Sequence, residues 1–303
     1  MKLYDIIIIG GGPAGIGAAL QAGRAGRKVL LAEKDTLGGR LNRAFLVKNF
    51  PSCAPNGSSG KTVVRGLVKQ LKAIRIVTVQ GSCLSIGHRN GAFISLINGH
   101  CYNSRAVIMA GGLEPKNLSA PGSKEALKQK RLVYSWDDIP RPLKNKTVAI
   151  IGGGEVALDQ ACSLASKGAK ATALVRGGKG KAYPGLIKMA KSLGVKIKYG
   201  FAVDRIVLNE PELVLRGSGN RAFNCHYAVV AIGSMVPKTI FTERAKRRIN
   251  KGLYLAGDLI NINNKQAAIA FGSGVKAAMM ADLTLFPSPN ALGEGRDKGK
   301  RSK

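Results

Sequence analysis

The sequence contains one pattern twice: an apolar run that enters a glycine-rich turn and continues into a helical stretch. In the first copy, the run 6–9 (IIII) leads into the turn 10–15 (GGGPAG), and after the helical stretch a second apolar run ends at Glu33. In the second copy, the run 148–151 (VAII) leads into the turn 152–157 (GGGEVA). Each copy has the order of elements that begins a dinucleotide-binding fold. Two copies in 303 residues therefore predict an α/β chain with two such folds.

The glycines of the first turn have the spacing that a bound pyrophosphate requires. Gly10 allows the tight turn, Gly12 lets the backbone approach the pyrophosphate, and Gly15 lets the helix pack closely on the strand. The pyrophosphate then meets the helix N-terminus, where free N–H groups and the helix dipole favour negative charge. Glu33 follows Gly15 by 18 residues, at the end of the next strand, where a carboxylate can accept hydrogen bonds from a ribose.

The second turn carries Gly152 and Gly154, with Ala157 in the third place, which is an accepted variant of the pattern. The strand that follows ends in Arg176, where the first copy has an acid. An arginine at this position favours the 2′-phosphate of NADPH, although NADH stays open. The alternative is that this arginine is simply exposed at the end of a strand.

A third pattern lies towards the end of the chain. The run 252–256 stops at Gly257 and Asp258, and a helical stretch rich in small residues follows over residues 264–285. An aspartate in this place can meet a sugar-alcohol hydroxyl, and the helix N-terminus beyond it can direct N–H groups towards charge that develops on a flavin ring. The alternative is that Asp258 caps a helix.

The net charge of +31 is extreme for an enzyme. It can attract nucleic acid, favour an acidic partner protein, or reflect a general bias of the source organism. Aromatic residues make up only 5% of the chain, so stacking platforms are scarce and specific nucleic-acid binding is not expected. The dense basic cluster 296–303 ends the chain, and we expect a disordered tail over about residues 287–303.

The five cysteines, Cys53, Cys83, Cys101, Cys162 and Cys225, are odd in number and widely spaced, and no two of them form a Cys-x-x-Cys pair. This pattern predicts neither a disulfide framework nor a metal site, and we expect reduced thiols that lie mostly in the core. No apolar run reaches the roughly 18–20 residues that span a bilayer. The N-terminal run is interrupted by an acid and leads into a glycine turn instead of a cleavage site. We therefore expect a cytoplasmic protein with no membrane span.

With all three patterns in this order, the sequence resembles the low-molecular-weight thioredoxin reductases, class II of the pyridine nucleotide–disulfide oxidoreductases. The resemblance runs over about residues 3–285. Further matching pieces are the segments 38–41 (GGRL), 49–51 (NFP), 106–112 (AVIMAGG) and 231–233 (AIG).

The resemblance implies two Rossmann-like domains of three layers each, with an NAD(P)-binding domain inserted into a split FAD-binding domain. It assigns residues 1–116 and 238–303 to the FAD-binding domain and residues 117–237 to the NAD(P)H-binding domain. It also implies a homodimer, and a rotation of one domain against the other during turnover.

The same resemblance implies which residues hold the cofactors, FAD and either NADPH or NADH. These residues are Gly10, Gly12, Pro13, Ala14, Gly15, Glu33, Lys34, Gly39, Arg40, Leu41, Asn49, Ala110, Gly111, Gly152, Gly154, Glu155, Val156, Ala157, Arg176, Gly233, Gly257, Asp258, Gln266 and Ala267.

The sequence departs from that family most clearly at the redox-active Cys-x-x-Cys. The two cysteine positions fall near Ser135 and Asp138, and neither side chain can form a disulfide or a flavin–thiolate adduct. Direct reduction of thioredoxin by the usual route is therefore excluded, and no catalytic residue is identified. Two smaller departures are the pair 111–112 (GG), where Thr-Gly is usual, and the neighbours of Arg176, which are more basic in relatives that prefer NADPH.

These observations predict an FAD-dependent oxidoreductase that passes hydride from NAD(P)H to FAD and on to an acceptor without a protein dithiol. The acceptor is left open between an acidic carrier such as ferredoxin or flavodoxin, a small molecule, and oxygen; the charge favours the carrier. One alternative is a disulfide reductase that uses a distant cysteine such as Cys162 or Cys225. Another is a non-catalytic FAD-binding sensor or scaffold. Cys53 is a further candidate redox thiol, because the resemblance brings its loop near the flavin.

Overall fold

The computed structural model describes residues 3–238 and 240–287, which form two compact units. The first unit is made of the described parts of Met1–Asn42, Lys48–Gly112 and Pro237–Lys303. The second unit is made of Arg43–Val47 and Leu113–Val236. The sequence did not predict that the short segment 43–47 packs with the second unit. Apart from residue 287, the tail that was expected to be disordered lies outside the described residues.

The described residues form seventeen strands and seven α-helices. The strands are β1 (Leu3–Ile9), β2 (Val29–Glu33), β3 (Val77–Gln80), β4 (Cys83–Arg89), β5 (Ala92–Ile97), β6 (His100–Met109), β7 (Glu114–Pro115), β8 (Leu132–Val133), β9 (Thr147–Ile151), β10 (Lys170–Val175), β11 (Lys196–Tyr199), β12 (Val203–Asn209), β13 (Glu212–Gly217), β14 (Arg221–Cys225), β15 (Tyr227–Val230), β16 (Ser234–Met235) and β17 (Leu253–Leu255). The helices are α1 (Pro13–Arg24), α2 (Gly60–Ala73), α3 (Ser123–Lys128), α4 (Glu155–Ala165), α5 (Pro184–Ser192), α6 (Glu243–Lys246) and α7 (Ala267–Leu285).

The first unit is built on a seven-stranded sheet with the order β3-β2-β1-β6-β5-β4, in which β17 also pairs with β6. The strands β3, β2, β1, β6 and β17 run parallel, whereas β4, β5 and the first half of β6 form an antiparallel meander. Ile6, Ile7 and Ile8 are fully buried, as expected of a parallel strand covered on both faces. The turn between β4 and β5 is made by Asn90 and Gly91, both with positive φ, which is the hairpin turn that an Asn-Gly pair favours.

The second unit has a parallel sheet with the order β11-β10-β9-β15-β8. An antiparallel sheet, β12-β13-β14, lies between β11 and β15 in the chain, and a two-stranded ribbon joins β7 to β16. The helix α4 packs on β10 and β9 through the buried residues Ala157, Ala161 and Leu164. Each unit therefore contains a parallel sheet, and one strand of each sheet leads into one of the two glycine turns. The predicted α/β class with two Rossmann-like folds is confirmed.

The expectation that no apolar segment is long enough to span a bilayer is wrong for α7, whose 19 residues are long and apolar enough to cross a membrane by length and composition. Five of its small residues are buried, however, and they allow close packing on α1: Ala270, Gly274, Ala277, Ala278 and Ala281. A Cβ on Gly274 would lie 1.9 Å from the carbonyl oxygen of Ala14, and a Cβ on Gly17 of α1 would lie 2.6 Å from that of Phe271. Asp282 near its end also pairs with Arg27. One face of the helix therefore packs on α1 within the first unit, whereas Ile269, Met279 and Leu283 on the rest of the helix are exposed.

All five cysteines are free thiols, but the expectation that most of them lie in the core is wrong. Only Cys162 and Cys225 are buried; Cys53 and Cys83 are half-buried, and Cys101 is exposed. Cys101 is exposed because β6 begins at the tip of its hairpin with β5, where the residues of the strand are not covered.

Candidate cofactor-binding sites

The first glycine turn joins β1 to α1 and has the geometry of a pyrophosphate cradle. A Cβ on Gly10 would lie 2.4 Å from the carbonyl oxygen of Ala110, and one on Gly15 would lie 1.7 Å from that of Gly10, so neither position accepts a side chain. A Cβ on Gly12 would meet no atom within 4 Å. Gly12 precedes the helix and Pro13 begins it, with no acidic residue in the first turn. The open side of the turn therefore faces uncapped N–H groups, which fits the pyrophosphate of a dinucleotide.

Glu33 stands at the end of β2, beside this turn. Its carboxylate accepts hydrogen bonds from the backbone N–H of Gly11 at 2.6 Å and from that of Asp35 at 2.9 Å. These bonds fix the carboxylate at the edge of the cradle. Because an ionised carboxylate offers about four lone-pair sites, it can still accept hydrogen bonds from ribose hydroxyls. Lys34, the next residue, is exposed.

The third sequence pattern also reaches the first turn. Gly257 has φ +74°, and a Cβ on it would lie 2.9 Å from the Cβ of Ala14 at the start of α1. Its N–H donates to the hydroxyl of Ser273 on α7 at 2.7 Å. Burial raises the pKa of the adjacent Asp258, and the positive charges of Arg40 and Lys265 act in the opposite direction. Since α7 begins after Gln266, Asp258 is not its cap, and the capping alternative is wrong.

The remaining residues predicted for this cradle come from three parts of the first unit. The amide nitrogen of Asn49 donates to the side-chain oxygen of Gln266 at 2.6 Å, directly before Ala267 begins α7. A Cβ on Gly39 would lie 3.5 Å from the Cα of Gly12, which brings the segment 38–41 over the first turn. Of that segment, Leu41 is buried. Gly111 continues the backbone from the Ala110 carbonyl that contacts Gly10.

The second glycine turn, between β9 and α4, repeats the geometry of the first. A Cβ on Gly152 would lie 2.3 Å from the carbonyl oxygen of Ala231, whereas one on Gly154 would meet no atom within 4 Å. Ala157 is fully buried against the strands, as the third position of the pattern requires. Glu155 and Val156 form the exposed first turn of the helix, and Gly233, with φ +113°, follows β15 beyond Ala231. This cradle also fits a dinucleotide pyrophosphate.

The loop after β10 folds back beside the second turn, which the sequence did not predict. Arg176 is exposed at the end of the strand. Further along the loop, the N–H of Lys181 donates to the carbonyl oxygen of Gly153 at 2.8 Å, and the carbonyl oxygen of Gly177 accepts from the N–H of Gly200 at 3.0 Å. The basic residues of the loop are therefore held near the end of the cradle.

The two positions predicted to replace the redox cysteines lie at a short 3-10 turn, Trp136–Asp138: Ser135 precedes the turn, and Asp138 is its last residue. Ser135 is buried, and its hydroxyl donates to the Asp137 carboxylate at 2.5 Å. Asp138 is exposed. The N–H of Trp136 donates to the buried side-chain oxygen of Gln160 at 2.9 Å. Hydrogen bonds to side-chain oxygen atoms therefore stabilise the turn, and none of its residues carries a sulfur atom.

Asp159 of α4 is a polar anchor that sequence reasoning missed. Both of its carboxylate oxygens accept from the N–H of Phe45 at 3.1 Å, so the helix holds the segment Arg43–Val47. Burial raises the pKa of Asp159 to about 6, against the lowering effect of the hydrogen bonds from Phe45 and Leu46. No local pattern marks this residue, because its partners are 114 positions away in the chain.

Comparison with known proteins agrees with this geometry. The sequence profile of the pyridine nucleotide-disulphide oxidoreductases matches residues 4–272. A ferredoxin–NADP reductase of Ligilactobacillus salivarius is 33% identical over 212 residues, which cover 68% of this chain and 62% of that protein. A thioredoxin reductase of Aquifex aeolicus is 26% identical over 305 residues, 94% of each chain. The crystal structure of Lactococcus lactis thioredoxin reductase superposes with a TM-score of 0.81 at 21% identity, covering 93% of this chain and 99% of that one, and it supports the fold.

The chain therefore belongs to the pyridine nucleotide-disulphide oxidoreductases, a class of FAD-dependent NAD(P)H oxidoreductases. Within this class it is similar to the low-molecular-weight thioredoxin reductases, as the order of the motifs predicts. The chain is an enzyme of this class, so the alternative of a non-catalytic sensor is set aside.

Proposed function

We propose that this enzyme passes hydride from NAD(P)H to FAD and passes the electrons on to an acidic carrier protein of the ferredoxin or flavodoxin type, without a protein dithiol. The absence of a Cys-x-x-Cys pair from the whole sequence carries this proposal. In place of the dithiol, Ser135 and Asp138 offer oxygen atoms, which cannot undergo thiol–disulfide exchange.

The positions of the five thiols argue against a distant cysteine in the same role. Thiol–disulfide exchange needs an accessible thiolate. Burial raises the pKa of Cys162 to about 11 and that of Cys225 to about 12, and both side chains are inaccessible. Burial also raises the pKa of Cys83 to about 11. Cys53 and Cys101 are more accessible but belong to different parts of the first unit, a loop and the strand β6.

We assign FAD to the first unit and the nicotinamide dinucleotide to the second. Gly12 and the N-terminus of α1 would hold the FAD pyrophosphate, Glu33 a ribose, and Asp258 a hydroxyl of the ribityl chain. Gly154 and α4 would hold the second pyrophosphate, with Arg176 at the adenosine ribose. The chain's own contribution is to bind and orient the two cofactors, because the redox chemistry belongs to the cofactors.

The net charge of +31 supports the acidic carrier over a neutral acceptor. A strongly positive surface attracts an acidic protein and raises the rate of productive encounter. The relative in Ligilactobacillus salivarius carries the name ferredoxin–NADP reductase, which agrees with this choice. A homodimer and a cytoplasmic location are parts of the same proposal; the five free thiols support the location.

The test is an acceptor comparison with the purified yellow protein under anaerobic conditions. We expect NADPH or NADH to bleach the flavin absorbance, and added ferredoxin or flavodoxin to restore it. We expect oxidised thioredoxin to leave the flavin reduced. Reduction of thioredoxin at a comparable rate, or failure of both carriers to restore the absorbance, would contradict the proposal.

A further inference from the structure

The hairpin between β13 and β14 lies beside the loop that begins at Arg176. Gly200, which follows β11, donates its N–H to the carbonyl oxygen of Gly177 at 3.0 Å. The Nη1 atom of Arg221 lies 3.7 Å from the place that a Cβ on Gly200 would occupy. The guanidinium of Arg221 therefore lies beside Gly200, and Gly200 is hydrogen-bonded to the residue that follows Arg176.

A hydrogen bond within the hairpin holds Arg221 in this place. Its Nε–H donates to the carbonyl oxygen of Ser218 within the hairpin at 3.0 Å. Gly200 has φ +68° and no side chain, so it leaves room for the guanidinium to lie across it. The neighbouring strand β11 packs on β14 at a second point, where the ammonium of Lys198 lies 5.0 Å from the ring of Phe223.

We propose that Arg221 is a specificity-determining residue, which binds the 2′-phosphate of NADPH together with Arg176. The inference rests on the proposed function, in which the second unit binds the nicotinamide dinucleotide. Gly177, directly after Arg176, brings no charge, and Arg221 supplies a second guanidinium from another strand, beside the Gly200 that is hydrogen-bonded to Gly177. Its planar fork retains four further N–H groups, and guanidinium groups bind phosphate with charge-assisted bonds.

The same sheet offers a matched control. Arg216 lies opposite Ala222, whereas Arg221 lies opposite Gly217, so the two arginines project from opposite faces because side chains alternate along a strand. Arg216 is exposed and faces Arg205 of β12 across the ladder. Arg216→Gln removes the same charge from the same hairpin without touching the loop at Gly200.

The test is calorimetric titration with two adenosine fragments, 2′,5′-ADP and 5′-AMP, which differ by the 2′-phosphate. For Arg221→Gln we expect the Kd for 2′,5′-ADP to rise about tenfold, the size of one charge-assisted bond, with the Kd for 5′-AMP unchanged. We expect Arg221→Lys to recover part of the affinity, and Arg216→Gln to leave both constants unchanged. Thermal unfolding checks that the variants fold like the wild type.

An equal loss for both fragments, no loss for either, an equal effect of Arg216→Gln, or a wild type that binds neither fragment would overturn the inference. The test is distinguishable from that of the proposed function, because fragment binding does not depend on the electron acceptor. Suppose that Arg221→Gln selectively loses 2′,5′-ADP binding, but NADPH does not reduce the flavin of the enzyme. This result would keep the inference and refute the proposed function.

Discussion

The glycines of the two cradles serve two different physical needs. Gly10 and Gly152 are required by packing, since a Cβ on either would overlap a carbonyl oxygen. Gly12 and Gly154 face open space, so the fold itself would accept a side chain at both. A glycine at these two positions is required only when a ligand fills that space. Substitution at Gly12 and Gly154 therefore separates cofactor binding from folding.

We expect Gly12→Val to fold but to lose most of its FAD, because the side chain would occupy the pyrophosphate space. We expect Gly154→Val to keep FAD and to lose reduction by NADPH. Flavin absorbance of the purified proteins and its bleaching by NADPH measure the two effects. Gly66→Ala is the control, since Gly66 is exposed on α2 with no atom near its Cβ position; we expect it to raise stability by about 0.5–1 kcal/mol. Full FAD occupancy in Gly12→Val would refute the cradle.

Asp159 should make the stability of the second unit depend on pH. Its pKa is raised from 3.8 to about 6, so between these values the folded protein binds a proton that the unfolded chain does not. The contribution of the Asp159 proton to the stability of the folded state is present below pH 4 and is lost as the pH rises through 6. We expect the free energy of unfolding of the wild type, relative to Asp159→Asn, to fall by on the order of 2 kcal/mol from pH 4 to pH 6.5. Denaturant titrations at several pH values measure it, and parallel curves for the two proteins would contradict the expectation.

At the scale of elements, the contact between α1 and α7 positions the first cradle. Gly17 and Gly274 let the two helices approach until carbonyl oxygens fill the space of the missing side chains. This contact places Gly257, which precedes α7, against Ala14 at the start of α1. The first cradle is thus assembled from segments that are far apart in the chain, by a packing of small residues.

We expect Gly274→Ala to destabilise the first unit by about 2–3 kcal/mol, because the new methyl group would overlap the carbonyl of Ala14 and force the helices apart. The same helix supplies the control: a Cβ on Gly272 meets no atom within 4 Å, and Gly272→Ala should raise stability by up to about 1 kcal/mol. Thermal unfolding followed by flavin fluorescence measures both. Equal melting temperatures for the two variants would show that the contact is loose.

The sequence predicts elements whose cause is local and misses those whose cause is distant. The turns at Gly10 and Gly152 follow from glycine spacing after an apolar run, and the hairpin at Asn90 from a favoured turn pair. The anchoring of Phe45 by Asp159 and the approach of Arg221 to Gly200 join residues far apart in the chain, and only the folded topology brings them together.

At the scale of the whole molecule, the charge should govern encounter with the acceptor. We expect the rate of ferredoxin reduction to fall roughly tenfold between 50 and 200 mM salt, because screening removes the attraction of an acidic protein to this basic surface. The rate with a neutral quinone should stay nearly constant and serves as the control. A rate with ferredoxin that does not depend on salt would remove the electrostatic argument for an acidic carrier.

The central claim is that electrons pass from nicotinamide to acceptor with no participating thiol. The most direct test is anaerobic stopped-flow spectroscopy of a variant with all five cysteines replaced, by serine at residues 53, 83 and 101 and by alanine at the buried residues 162 and 225. Far-ultraviolet circular dichroism and FAD content check that it folds. We predict that NADPH bleaches its flavin, and ferredoxin restores the absorbance, at rates within about twofold of the wild type. A folded, FAD-loaded variant that is reduced by NADPH but no longer passes electrons to any acceptor of the wild type would contradict the claim.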